Sequence, residues 1–179
     1  MSSKALLFLA IVVFAAVSAD PCGSPDWRYS PFSKKCYKLF NVKTGWTISE
    51  FKCLFMGGHH PSIHDMQDNA FVSELAKQAG IIWLGAVQYG TSRDYQWVDR
   101  SPFSGFENWA NGVRPAYNKG KKCSKLDGMT GQWLQSCCKV PAAYICMKPA
   151  ISLPGEIIED GSGLNSDFRK RFRRSMMFA

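Results

Sequence analysis

Seven cysteines stand behind an apolar leader, and this pairing constrains the 179-residue chain more than any other feature. Residues 1–19 have the parts of a secretory signal. Lys4 gives a positive start, Ala5 to Val17 an apolar run, and Val17-Ser18-Ala19 small residues ahead of a cleavage point at Asp20. The run is short for a membrane span, and no second one follows it, so the mature chain is expected to be soluble, secreted and extracellular, with no membrane partner. In an oxidising compartment the cysteines read first as a disulfide framework, and an odd number leaves one over.

The segment from Trp83 to Cys146 carries the second constraint. Trp83-Leu84-Gly85-Ala86, Trp97-Val98-Asp99, Asn108-Trp109-Ala110-Asn111-Gly112 and Tyr144-Ile145-Cys146 are apolar anchors separated by Gly-rich and polar loops. That pattern suits a compact domain with long ordered loops and does not suit a helical bundle. Ahead of it, Cys22 and Cys36 bracket Trp27, Tyr29 and Phe32 in what reads as a short hairpin pinned by one bridge, followed by a strand over 37–41. Ile48, Phe51, Leu54 and Phe55 recur at helical spacing, with Thr44 or Thr47 as cap and Gly57-Gly58 as stop. A second helix is expected over 65–78, with Phe71, Val72, Leu75 and Ala79 as its buried stripe. Strands are expected over 81–87, 95–98, 123–126, 132–134 and 142–147. The stretch 99–122 is a long loop, functional or tied down. Trp83, Trp97, Trp109 and Trp133 read as core.

Residues 149–179 are a different material, rich in Pro, Gly and Ser, with an acidic patch and then the run Arg169-Lys170-Arg171-Phe172-Arg173-Arg174. They read as a flexible tail, which gives three units: signal 1–19, domain 20–148 and tail 149–179.

Trp83-Leu84-Gly85-Ala86, Asn108-Trp109-Ala110, the turn Gly57-Gly58-His59 to Ser62-Ile63-His64, and the ending Trp133, Cys138, Tyr144-Ile145-Cys146 together resemble the C-type lectin-like domain family. The resemblance covers about residues 22–148. It implies an α+β, disulfide-stabilised fold, with two helices packed on antiparallel strands and a long loop region. It also implies an outer bridge Cys53–Cys146, an inner bridge Cys123–Cys138, and a Cys22–Cys36 bridge for the extra amino-terminal hairpin. Cys137 is then the leftover, with three readings: a buried thiol, an intermolecular bridge, or an exchange of roles with Cys138.

Sugar binding in that family runs through a calcium ion, which wants six to eight oxygens, several of them carboxylate. The family triplet Glu-Pro-Asn or Gln-Pro-Asp falls here on Val113-Arg114-Pro115-Ala116, and its Trp-Asn-Asp on Trp133-Leu134-Gln135. The pair before Cys123, often acidic in sugar-binding members, is Lys121-Lys122. These departures oppose calcium, and no metal site or cofactor is expected. His60 and His64 are four apart, but Pro61 keeps them off one helical face and no tetrahedral set is completed.

The net charge is +8. This suits either solubility or a polyanionic partner, and nucleic acid is not expected. Arg114, Lys119, Lys121, Lys122 and Lys125 are a candidate ligand loop for sulfate or phosphate groups, set against the plain reading of a solvated loop. No catalytic residue is expected, because nucleophile-elbow, zinc-protease and phosphate-loop motifs are all missing.

Glu159-Asp160-Gly161-Ser162-Gly163 is similar to sites where xylose on serine starts a glycosaminoglycan chain. Acidity, an accessible segment and a glycine that admits close approach are all present; Ser104-Gly105 lacks the acids. With this site the chain resembles the nematode C-type-lectin-domain chondroitin proteoglycans, which implies a small proteoglycan core in extracellular matrix carrying its chain on Ser162. The alternative is an unmodified secreted lectin binding carbohydrate or bacterial surfaces in defence. Arg171, Arg173 and Arg174 fit a convertase site, with polyanion binding as the rival reading. Oligomeric state is not legible.

Overall fold

The computed structural model describes residues 20–151. The signal, Ser162 and the basic run at Arg171, Arg173 and Arg174 lie outside the described residues. The elements follow in the order β1 (Arg28–Ser30), β2 (Lys35–Thr44), α1 (Trp46–Phe55), α2 (Met66–Ala76), β3 (Ile81–Val87), β4 (Gln96–Trp97), a 3-10 turn (Ala110–Gly112), β5 (Cys123–Asp127), β6 (Trp133–Ser136) and β7 (Ala142–Pro149). This is the α+β arrangement of two helices on a largely antiparallel sheet that the resemblance implies.

One sheet runs β1-β2-β7-β3-β5-β6, with β4 paired to β3. All pairings are antiparallel except β3 with β7, where Ile82 faces Ala143 and Trp83 faces Tyr144. β3 and β7 are central, so nearly every side chain on them is buried. That is why both read in sequence as unbroken apolar runs rather than as alternating strands.

Two groups of core side chains result. One gathers Trp97, Trp109 and Trp133 with Ile82, Leu84 and Leu126. Trp133 sits edge-on to Trp97 at 5.6 Å and to Trp109 at 5.5 Å between ring centroids. The other contains Trp46, Trp83 and the cystines. The four tryptophans of the core expectation are therefore all buried.

Helix α2 keeps most of its expected stripe: Val72 is buried, Phe71, Leu75 and Ala79 are half-buried against the core, and Ala79 lies past the helix end at Ala76. Asp65 caps the helix by accepting from the Asp68 N–H at 2.8 Å, and Val72 and Ala76 are fully buried. Helix α1 does not keep its stripe. Its N-cap is Gly45, with no side-chain cap, in place of Thr44 or Thr47. Ile48, Phe51, Leu54 and Phe55 face outward, Phe55 at 89 % exposure, while Trp46, Ser49, Glu50 and Cys53 face in. The inward face is set by specific bonds. Cys53 reaches Cys146, Trp46 Nε1 donates to the Leu84 carbonyl at 2.8 Å, and the Glu50 carboxylate accepts from His59 Nδ1 at 2.6 Å and from the His60 backbone N–H at 2.8 Å.

Three bridges form, Cys22–Cys36, Cys53–Cys146 and Cys123–Cys138, and Cys137 is a half-buried free thiol. The register explains which of the adjacent cysteines closes the inner bridge. Cys123 lies opposite Ser136, so Cys138 is the residue carried round the turn back to it. All peptide bonds among the described residues are trans, Pro115 included.

Candidate functional site

The long loop leaves β4 and is held to the core at Asn108 and Trp109. Trp133 donates its backbone N–H to the Asn108 carbonyl at 2.7 Å, and Asn108 Nδ2 donates to the Gly131 carbonyl at 2.8 Å. The chain then reverses through Asn111 and Gly112, both at positive φ (64° and 70°). Asparagine and glycine tolerate that region best. The reversal returns Arg114 onto Glu107.

Arg114 Nε donates to Glu107 Oε2 at 2.8 Å, Arg114 Nη2 donates to Glu107 Oε1, and Trp109 Nε1 donates to Oε2 at 2.6 Å. The Arg114 guanidinium holds the Glu107 carboxyl below its usual range, and the Trp109 bond adds to the effect. The same pairing pushes Arg114 up. Both carboxylate oxygens are thus taken by nitrogen donors. Around them Val113, Ala116 and Leu134 bring no side-chain oxygen, and the amide of Gln135 donates to the Ala116 carbonyl at 3.1 Å. This corner, where the family's calcium ligands fall, does not fit a calcium ion, which needs several free carboxylate oxygens. Among the described residues no group of three or more His, Cys, Asp or Glu side chains is placed to hold a metal.

The five cations of the candidate ligand loop are not gathered into one patch. Arg114 is neutralised by Glu107. Lys125 is buried, lying over the Trp83 ring at 4.3 Å and donating to the Val140 carbonyl at 3.3 Å; burial pushes its ammonium down. Lys122 donates to the Gly90 carbonyl and lies over Tyr117 at 5.8 Å. Of these five, only Lys119 and Lys121 project into solvent with no side-chain partner among the described residues.

Sequence reasoning missed a second feature, the turn at Asp99-Arg100-Ser101. Asp99 Oδ1 accepts from the Ser101 N–H at 3.0 Å and from its hydroxyl at 2.5 Å, while Oδ2 accepts from the Ser62 hydroxyl at 2.5 Å and has Lys35 Nζ at 3.8 Å. Burial alone would push the Asp99 carboxyl up, but these bonds outweigh it and hold the group below the usual carboxylate range. The turn sets Arg100 at φ 64°. An Asp followed two residues later by Ser was the available signal.

A family model for the lectin C-type domain matches residues 42–148. The chain belongs to the C-type lectin domain family. It is similar to a C-type lectin mannose-binding isoform of Oxyuranus scutellatus, 31% identical over 149 residues that cover 78% of this chain and 92% of that protein. It is 29% identical over 126 residues to lymphocyte antigen 75 of Mesocricetus auratus, covering 69% of this chain but only 7% of that longer protein. The fold is also shared with a calcium-independent type II antifreeze protein, with a TM-score of 0.65 at 23% identity over 72% of this chain and 95% of that one. As a member of this family the C-type lectin domain described here is a binding module and not an enzyme. No helix among the described residues is long and apolar enough to cross a membrane.

Proposed function

We propose that the chain is a secreted, calcium-independent C-type lectin-like protein whose domain recognises a glycan directly and whose tail makes it a small chondroitin proteoglycan core. The Arg114–Glu107 pair supports the calcium independence, because a guanidinium takes both oxygens of the Glu107 carboxylate in the corner where the family's ion is held. Calcium titrated into the metal-stripped protein should give no binding heat, and the melting temperature should be the same in calcium as in chelator. A calcium-dependent rise in melting temperature would overturn the calcium independence. By mass action, calcium at about a hundred times its dissociation constant would add roughly 2.7 kcal/mol of stability.

The acid-flanked Ser-Gly at Ser162 supports the second half. After chondroitinase treatment of the secreted protein, the peptide spanning Glu156 to Arg169 should carry a xylose-linked stub on Ser162. A bare Ser162 would leave an unmodified secreted lectin, the alternative reading, with the glycan-binding half intact.

A further inference from the structure

We propose that the cleft between β4 and the start of the long loop, with Arg100 at its mouth, binds an acidic pyranose unit of a glycan, its carboxylate or sulfate ester on the Arg100 guanidinium. The cleft has a volume of about 450 Å³ and is lined by Tyr89, Gln96, Trp97, Arg100, Ser101 and Phe103 among others. That is within the size range of small-ligand sites.

The lining has the division of labour that a charged sugar requires. Tyr89 is 47% exposed and offers a free aromatic face. Phe103 lines the cleft and is held in place by Trp97 at 5.0 Å and by Arg114 over its ring at 5.2 Å, contacts that pre-organise that wall. The exposed amide of Gln96 and the Ser101 main chain lie at the rim.

Arg100 gives the site its sign. It is exposed and makes no ion pair among the described residues. It is also a non-glycine residue at positive φ, a conformation that persists only where surrounding bonds impose it. Here those bonds are known. Asp99 is tied to Ser101 on one side and to Ser62 on the other, and the Arg100 N–H donates to the Trp97 carbonyl at 3.0 Å. The same bonds occupy both oxygens of the Asp99 carboxylate, and Glu50, the acid whose charge acts on Tyr89, is bonded to His59 Nδ1 and the His60 N–H. On the far side of Phe103, Glu107 is neutralised by Arg114. One unpaired guanidinium beside an exposed aromatic, with neighbouring acids spent elsewhere, selects an anionic ring over a neutral one, since guanidinium meets carboxylate and sulfate oxygens through paired N–H donors.

This inference rests on the reading of the domain as a glycan-binding module. The full secreted chain would be titrated in chelator with a glucuronate-containing tetrasaccharide, its sulfated counterpart and a neutral tetrasaccharide, before and after chondroitinase. The acidic sugars should bind and the neutral one should not. Arg100→Asn, which tolerates positive φ, should weaken acidic binding about tenfold or more without changing the melting temperature. Arg100→Lys should recover part of the loss. Lys121→Ala in the long loop should leave binding unchanged. Tighter binding after chondroitinase would show that a chain on the protein's own tail fills the cleft, while equal binding would place the ligand on other molecules. Acidic binding that survives Arg100→Asn, or that follows Lys121, overturns the cleft but not the glycan-binding reading. A wild-type chain that binds none of a broad glycan panel overturns that reading itself.

Discussion

Replacing Cys53 and Cys146 together by alanine should cost the fold about 4–5 kcal/mol, more than removal of either other bridge. The outer bridge spans 93 residues of sequence, against 14 for Cys22–Cys36 and 15 for Cys123–Cys138. Most of the effect comes from the unfolded chain. Cross-linking removes loop-closure entropy that grows with the logarithm of loop length, giving about 4.6 kcal/mol for the long loop and about 3 kcal/mol for the short ones. Losing two fully buried sulfurs from the interface of α1 with β7 adds to this. Guanidinium unfolding checks the prediction, and the denaturant slope should rise as the unfolded state expands. A loss no larger than for Cys22→Ala/Cys36→Ala would mean that Trp46 and Glu50 dock α1 without help from the bridge.

The same helix shows where the sequence was legible and where it was not. The spacing of Ile48, Phe51, Leu54 and Phe55 locates α1 but assigns its apolar stripe to no partner, because the inward face is chosen by contacts with distant residues: Cys146, Leu84, His59 and His60. Strands β3 and β7 were legible because burial on both faces leaves continuous apolar runs. Asp65 was legible as a boundary because its bond to Asp68 is local. At the candidate site, the loop cations could be counted in sequence but their partners could not. Arg114 meets Glu107 only through the reversal at Asn111 and Gly112, and Lys125 lies inside because it sits on a strand beside Trp83. Arg100 was overlooked among the cations because its isolation is a property of where Asp99 points, and the Asp99 bond to Ser62 spans 37 residues.

His60 should make the fold acid-labile, and His60→Leu should remove most of that dependence. The imidazole is fully buried, edge-on to Trp46 at 5.3 Å and to Tyr144 at 6.3 Å, and neither ring nitrogen has a hydrogen-bond partner. Burial, with the neighbouring His59 as a lesser cause, pushes the folded-state value down to about 3 from an ordinary 6.5. The sign follows from which state takes the proton. Above pH 6.5 both states are neutral and His60 contributes no pH dependence. Below it the unfolded chain is protonated and the folded chain is not, so stability falls by about 1.4 kcal/mol per pH unit until the folded value is reached. Glu50 Oε2 lies 3.4 Å from His60 Nδ1, so an imidazolium would not be wholly without a counter-charge, and that slope is a ceiling. His64 is pushed down as well, by burial first and Lys35 second, and steepens the loss; Asp99, held low, adds to it only below the carboxylate range. Asp68 runs the other way, since burial raises it and acid then favours the folded form. Leucine fills a similar volume with no titrating atom and deprives no partner of a bond. The decisive reading is the slope of unfolding free energy between pH 6.5 and 4.5, where wild type should lose about 2–3 kcal/mol through His60 and His60→Leu should lose little by this route. An unchanged slope in His60→Leu would mean that the imidazole is reached by solvent or by Glu50 well enough to titrate in place.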